Sequence, residues 1–181
     1  LAWLSLDSHE GQEYWQAMTL AGDYASACHH HIHRRMADAL GEQPLAMVEN
    51  HHNFAWKEKL DNGSEIIVHR KGATPAGKGV LGIIPGSMTA AGYIVRGKGK
   101  SESINSASHG AGRAMSRRKA MDLVNPKELK KHLEVHGVEL VGGGLDEAPM
   151  AYKNISKVMH SQADLVEVVG TFLPRVVRMD S

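Results

Sequence analysis

The chain has 181 residues, of which 42% are hydrophobic and 23% charged, enough for one sizeable core and too few for two comfortable ones. Lys and Arg number 21 against 20 Asp and Glu; the net charge of +1 neither demands nor excludes a polyanionic partner and leaves the placement of charge to decide. The single cysteine, Cys28, excludes an intrachain disulfide and fits a reducing compartment, and no run of about 18 apolar residues is present to span a bilayer.

The N-terminus, LAWLSLDSHE, lacks the basic start and apolar middle of a secretion signal, so the expected location is cytoplasmic, with no membrane partner. Opening on Leu1 rather than Met implies that something has been removed upstream. From Gly11 to Leu40 the apolar residues Tyr14, Met18, Ala21, Ala25, Cys28, Ile32 and Met36 recur every three or four positions, which predicts a long helix with one stripe packed on the core. On it, CHHHIHRRM places His29 and His33 one turn apart, a two-ligand clip too incomplete to assign a metal.

The middle, His52 to Arg113, alternates short β-prone runs (EIIVHR, VLGIIP, YIVRG) with Gly, Pro and Ser clusters, which predicts strands joined by loops. Then NPKELKKHLEVHG offers Asn125 as a cap, Pro126 at the first helical position and Gly137 as a stop. Glu147 to Gln162 reads as a helix or helix-turn, and DLVEVVGTFLPRVVRM closes with strand-like runs. Mixed strands with flanking helices and no regular βαβ alternation predict an α+β fold with mixed sheets, in one domain over residues 1–181.

Four stretches carry candidate chemistry. In SASHGAGRAMSRRKA, Gly110, Ala111 and Gly112 leave the backbone bare beside His109, so successive amides can face an anion, and Arg113 offers a planar fork of donors. A neutral imidazole there can attack phosphorus; the alternative is a glycine turn whose histidine only satisfies a carbonyl. In IIPGSMTAAGY, Pro85, Gly86, Ser87 and Met88 form a loop able to line a ligand with backbone donors and one hydroxyl, or else a plain tight turn. HHNFAW puts His52 and Asn53 at a loop or strand end, and IVHRKGATPAG brings His69, Arg70 and Lys71 into a flexible segment.

Taken in order, these stretches resemble the RtcB family of GTP-dependent RNA ligases. The matching residues are His52-Asn53, Val68 to Thr74, Pro85 to Met88, Ser108 to Arg113 followed by Met115 to Arg117, and Glu147 to Asn154 in the pattern EAPxAYKN. The early GQEYWQAM, Gly11 to Met18, is similar to the family's helix opening.

The resemblance implies an RtcB-like catalytic fold, of which this chain is the C-terminal portion. It implies a reaction in which His109 attacks the α-phosphorus of GTP, GMP passes to an RNA 3′-phosphate, and a 5′-hydroxyl displaces it to seal the strand, after hydrolysis of any 2′,3′-cyclic phosphate. The partners are GTP and RNA, either tRNA halves or broken ends, and the cofactor is manganese. His52 matches a metal ligand. Asn53, Pro85 to Met88, His109 to Gly112 and Tyr152 match positions that contact the guanine nucleotide. Arg70, Lys71, Arg113 and Arg117 would form part of a track for RNA phosphates. Two departures bear on the nucleotide: Gly92 replaces a serine of the family's loop, and Met179 replaces a lysine, with Arg178 adjacent. The other manganese ligands belong to a segment upstream of Leu1 in this reading, and a non-catalytic nucleotide- or RNA-binding fragment is the alternative.

Overall fold

A computed structural model describes residues 2–60 and 62–179, and its architecture is α+β as expected. Helix α1, His9–Leu40, is capped by the Ser8 hydroxyl accepting from the Gly11 N–H and ends at Gly41 in the left-handed conformation. An antiparallel hairpin follows, β1 (Asn53–Lys59) on β2 (Glu65–Lys71). Short strands β3 (Ala73–Pro75) and β6 (Ser106–Ser108) pair antiparallel. Between them in sequence come β4 (Leu81–Ile84) and β5 (Gly92–Gly97), which with the later β8 (Val166–Phe172) make a three-stranded antiparallel sheet in the order β4-β5-β8.

The second half begins with α2 (Arg117–Leu123), capped by Ser116, and α3 (Pro126–Val135), capped by Asn125 with proline at its first position as the sequence predicts. Strand β7 (Glu139–Gly142) pairs in parallel with β9 (Val176–Arg178). The stretch expected as a helix or helix-turn contains two 3-10 turns, Leu145–Glu147 and Pro149–Ala151, and then α4 (Ile155–Ser161), capped by Asn154. The closing strand-like runs are β8 and β9.

Two apolar clusters hold these elements. One gathers Ile84, Val95, Ala107, Ala111, Ile155, Met159 and Val166 from the three-stranded sheet, β6 and α4. The other gathers Met88 from the β4–β5 loop, Leu129 and Leu133 from α3, Val138 from just before β7 and Ala148 at the end of the first 3-10 turn. The β4–β5 loop thus bridges both clusters.

Helix α1 corrects one expectation. Its apolar stripe does not pack on the core: Tyr14 is 59% exposed and Met36 58%, while its buried residues are Gly11 and Gly22. The reason is close approach. A Cβ on Gly22 would lie 2.5 Å from the Phe54 ring, so the helix meets β1 through its smallest residue rather than its largest ones. Ser26 and His29 add a polar anchor, with the Ser26 hydroxyl donating to Glu49 at 2.6 Å and His29 Nδ1 3.2 Å from the same carboxylate. Among the described residues, no helix is long and apolar enough to cross a membrane.

Candidate functional site

Gly72, between β2 and β3, has φ +70, and its backbone serves two histidines at once. Its N–H donates to the His52 carbonyl at 3.0 Å, and its carbonyl accepts from the His109 N–H at 3.3 Å. Nothing lies within 4 Å of a Cβ built there, so glycine is required by the dihedral rather than by space. The two side chains consequently meet: the His52 and His109 rings stack with centroids 3.9 Å apart. Burial, and then the neighbouring His52 charge, hold the half-buried His109 below the usual imidazole range, which favours its neutral, nucleophilic form.

β6 delivers His109, and its last residue shapes the loop that follows. The Ser108 hydroxyl donates to the Gly110 carbonyl at 2.6 Å, and the Ser108 N–H donates to the buried Gln162 side-chain oxygen at 2.9 Å. The Ala111 N–H donates to the Pro85 carbonyl at 3.0 Å, lacing this loop to the one between β4 and β5. Pro85 to Met88, His109 to Gly112 and Tyr152 then line one cavity of about 410 Å³, together with Gly72, Pro174, Val177 and Met179. The sequence therefore placed nine of its candidate positions on a common wall without knowing which chain segments would close it.

Tyr152 is held by a charged knot beneath that wall. Its hydroxyl donates to Glu147, which is 6% exposed, and burial together with that bond pushes the phenol up to about 12, so it stays a donor at neutral pH. Arg113 covers the Tyr152 ring at 5.2 Å, donates to the Met115 carbonyl at 3.1 Å and to the Asp146 carbonyl, and pairs with Glu147 at 3.5 Å. Arg117 pairs with both Asp146 and Glu147.

Several expected roles change with this geometry. Arg70 is 2% exposed and does not present its guanidinium to a polyanion. It forks onto Glu58 at 2.5 and 3.1 Å, donates to Ser106 Oγ and the Ile104 carbonyl at 2.9 Å each, and stacks on Trp56. Burying a guanidinium demands such full pairing, so this residue ties β2 to the turn that feeds β6. Arg113 is likewise committed to Glu147 and to backbone carbonyls, whereas Arg117 pairs with Asp146 and Glu147 while its side chain stays 67% exposed, and Lys71, at the exposed end of β2, is not buried. Asn53 starts β1 opposite Lys71 and lines a neighbouring cavity against α1, outside the one around His109. Of the departures, Gly92 is buried against Phe172, whose ring would meet a Cβ at 2.3 Å, and Met179 lines the cavity while Arg178 does not.

Sequence reasoning missed Gly72 and Glu147 as organisers, although both lie inside quoted motifs; positive φ and burial are tertiary facts that a motif does not display. Among the described residues no group of three or more His, Cys, Asp or Glu side chains can hold a metal ion, so His52, with only the stacked His109 ring beside it, does not make up a manganese centre, and the described residues do not fit one.

The family model described as tRNA-splicing ligase RtcB matches residues 1–180. The chain belongs to the RtcB family. It is 52% identical over 134 residues to RNA-splicing ligase RtcB1 of one Escherichia coli strain and 51% identical to RNA-splicing ligase RtcB of Escherichia coli K12; each alignment covers 71% of this chain and 32% of the relative. With the tRNA-splicing ligase RtcB of Methanocaldococcus jannaschii it shares 34% identity over 210 aligned residues, covering 99% of this chain and 21% of the relative. The chain thus spans about a third or less of the length of these relatives.

Proposed function

We propose that the chain is the C-terminal portion of an RtcB-type RNA ligase and carries its nucleotidyl-transfer centre, with His109 as the nucleophile. An imidazole nitrogen attacks the α-phosphorus of GTP; the phosphorus–nitrogen bond forms as the α–β phosphoanhydride bond breaks, and pyrophosphate leaves. An oxygen of an RNA 3′-phosphate then takes the GMP and frees His109, and a 5′-hydroxyl displaces GMP to join the strands. A 2′,3′-cyclic end is opened to the 3′-phosphate first.

The observation that carries this reading is the convergence of two small-residue loops, His109 and Tyr152 on one cavity. With the Ala111 N–H committed to the Pro85 carbonyl, the amides of Gly110 and Gly112 are the ones that would stabilise charge on nonbridging oxygens, and the protonated Tyr152 phenol adds a flat face near a base. The cavity volume is of the size that encloses a nucleotide-sized ligand. Manganese enters this reading from outside the described donor set: His52 would contribute one imidazole, and the remaining ligands would come from a longer protein or a partner.

The test is incubation with α-labelled GTP and manganese, for this chain and for a longer protein containing it, followed by denaturing electrophoresis. The expected result is an acid-labile label, at least on the longer protein, that is lost in His109→Ala. A label retained in that variant places the nucleophile elsewhere, and a longer protein that binds GTP without taking label favours a binding module.

A further inference from the structure

The loop from Pro85 to Ala91, one wall of the cavity, is gripped from outside by α3. Leu129, His132 and Leu133 share one face of that helix, at the spacing of neighbouring turns. Leu129 and Leu133 are buried in the cluster that contains Met88, which is 2% exposed. Beside them, His132 Nε2 lies 3.0 Å from the hydroxyl of Thr89. Two consecutive loop residues are therefore held by one helix, Met88 by apolar packing and Thr89 by a hydrogen bond.

His132 is itself oriented. Its ring packs on that of His136 with centroids 4.2 Å apart, and His136 Nδ1 lies 2.7 Å from the His132 carbonyl, so the pair stands as a small pillar at the end of α3. A threonine hydroxyl donates or accepts, so it satisfies either tautomer of the imidazole. The loop's own closing bond, from the Ala90 N–H to the Ser87 carbonyl, is long at 3.3 Å, and the other tie to a neighbouring loop sits at its start, at Pro85. The middle of the loop, Met88 and Thr89, rests on α3.

We propose that His132, acting through Thr89, is a positioning residue that preorganises the Ser87–Met88 wall for the nucleotide. This rests on the reading of the cavity as a nucleotide site. His109 is held by Gly72 and Ser108, on different elements from His132, so loosening the loop separates affinity from chemistry: the ordering that His132 supplies in advance has to be supplied by the ligand instead.

Four variants test it: His132→Phe, which keeps a ring and loses the bond; His132→Gln, which keeps a bonding group; Thr89→Val; and the His132→Phe/Thr89→Val double. Amide hydrogen exchange across Ser87 to Ala91 is measured on the 181-residue chain without ligand, with thermal unfolding as the check on folding. GTP binding is titrated in parallel, and the GTP dependence of His109 labelling is followed in whichever form labels. Exchange is expected to quicken by roughly three- to tenfold in each single bond-breaking variant, the effect of losing one hydrogen bond, with no further increase in the double and near-normal exchange in the Gln variant. The half-saturating GTP concentration should rise by a similar factor while the maximal labelling rate holds. Unchanged loop exchange in His132→Phe, or additive effects in the double, overturns the proposal, as does a fall in maximal rate with unchanged half-saturation. The expected exchange pattern without GTP binding by the unaltered protein overturns the nucleotide reading of the cavity, and the positioning role with it, while leaving the helix-to-loop tie established.

Discussion

Gly72 shows how much a single backbone can decide. Its left-handed φ turns the N–H toward the His52 carbonyl and the carbonyl toward the His109 N–H, so both rings start from one anchor. Gly72→Ala is expected to lower the unfolding free energy by about 1 kcal/mol, since space for a methyl group exists and only the dihedral resists; urea unfolding measures it, and no loss of stability contradicts the assigned conformation. Two residues on, Thr74 is fully buried and its hydroxyl has no hydrogen-bond partner among the described residues. Thr74→Val should therefore leave stability unchanged or raise it by about 1 kcal/mol, against the usual cost of altering a buried residue. At this scale the sequence displayed the bare surroundings of His109, because an imidazole among small residues is a local pattern, and it is the same stretch that lines the cavity. It misrepresented Arg70, because a charged side chain reads as surface until Glu58, twelve positions earlier, is seen beside it.

Elements were legible where a local signal ends them. Asn125, Pro126 and Gly137 bracket α3, and the β-prone runs became β2, β4 and β5. Strands β3, β6 and β7 have only three or four residues each and owe their pairing to partners far along the chain, which periodicity cannot supply. Helix α1 was readable as a helix and misread as to its buried face, since its contact runs through Gly22 and a polar anchor. That anchor titrates. The Ser26 hydroxyl, and then His29 and His30, hold the Glu49 carboxyl below its ordinary range despite some opposing burial. A carboxylate with a depressed folded pKa stabilises above its unfolded pKa and loses that contribution as pH falls through the folded value. Protection of amides at the α1–β1 contact, measured against their intrinsic exchange rates, should accordingly fall as pH drops below the normal carboxylate range, and Glu49→Gln should flatten that dependence; a protection profile unchanged by the substitution contradicts it. Arg70 acts between elements: Arg70→Ala strands Glu58 and frees the Ile104–Asn105 turn, where both residues have positive φ, and is expected to cost about 3 kcal/mol of stability in chemical denaturation. A change within about 0.5 kcal/mol, the range of an ordinary surface position, contradicts the inward role assigned to it.

Over the whole molecule, the cavity lies where two apolar clusters meet. Ala111 belongs to one, Met88, Val177 and Met179 belong to or pack on the other, and the Pro85 to Ala91 loop runs between them. This explains why motifs dispersed from residue 72 to residue 179 share one wall, and why the sequence could supply the members but not Pro174, Val177 or the knot around Glu147. The expected manganese is the converse case: among the described residues no three His, Cys, Asp or Glu side chains gather to hold a metal ion. The account turns on the cavity beside His109 accepting a guanine nucleotide, and a titration of GTP into isotopically labelled chain, followed by amide and imidazole resonances, tests that most directly. Shifts concentrated at Ser87, Met88, Gly110 to Gly112, Tyr152 and the His109 ring are the predicted result; saturable binding that moves resonances on α1 or the β1–β2 hairpin and leaves those unmoved would contradict it.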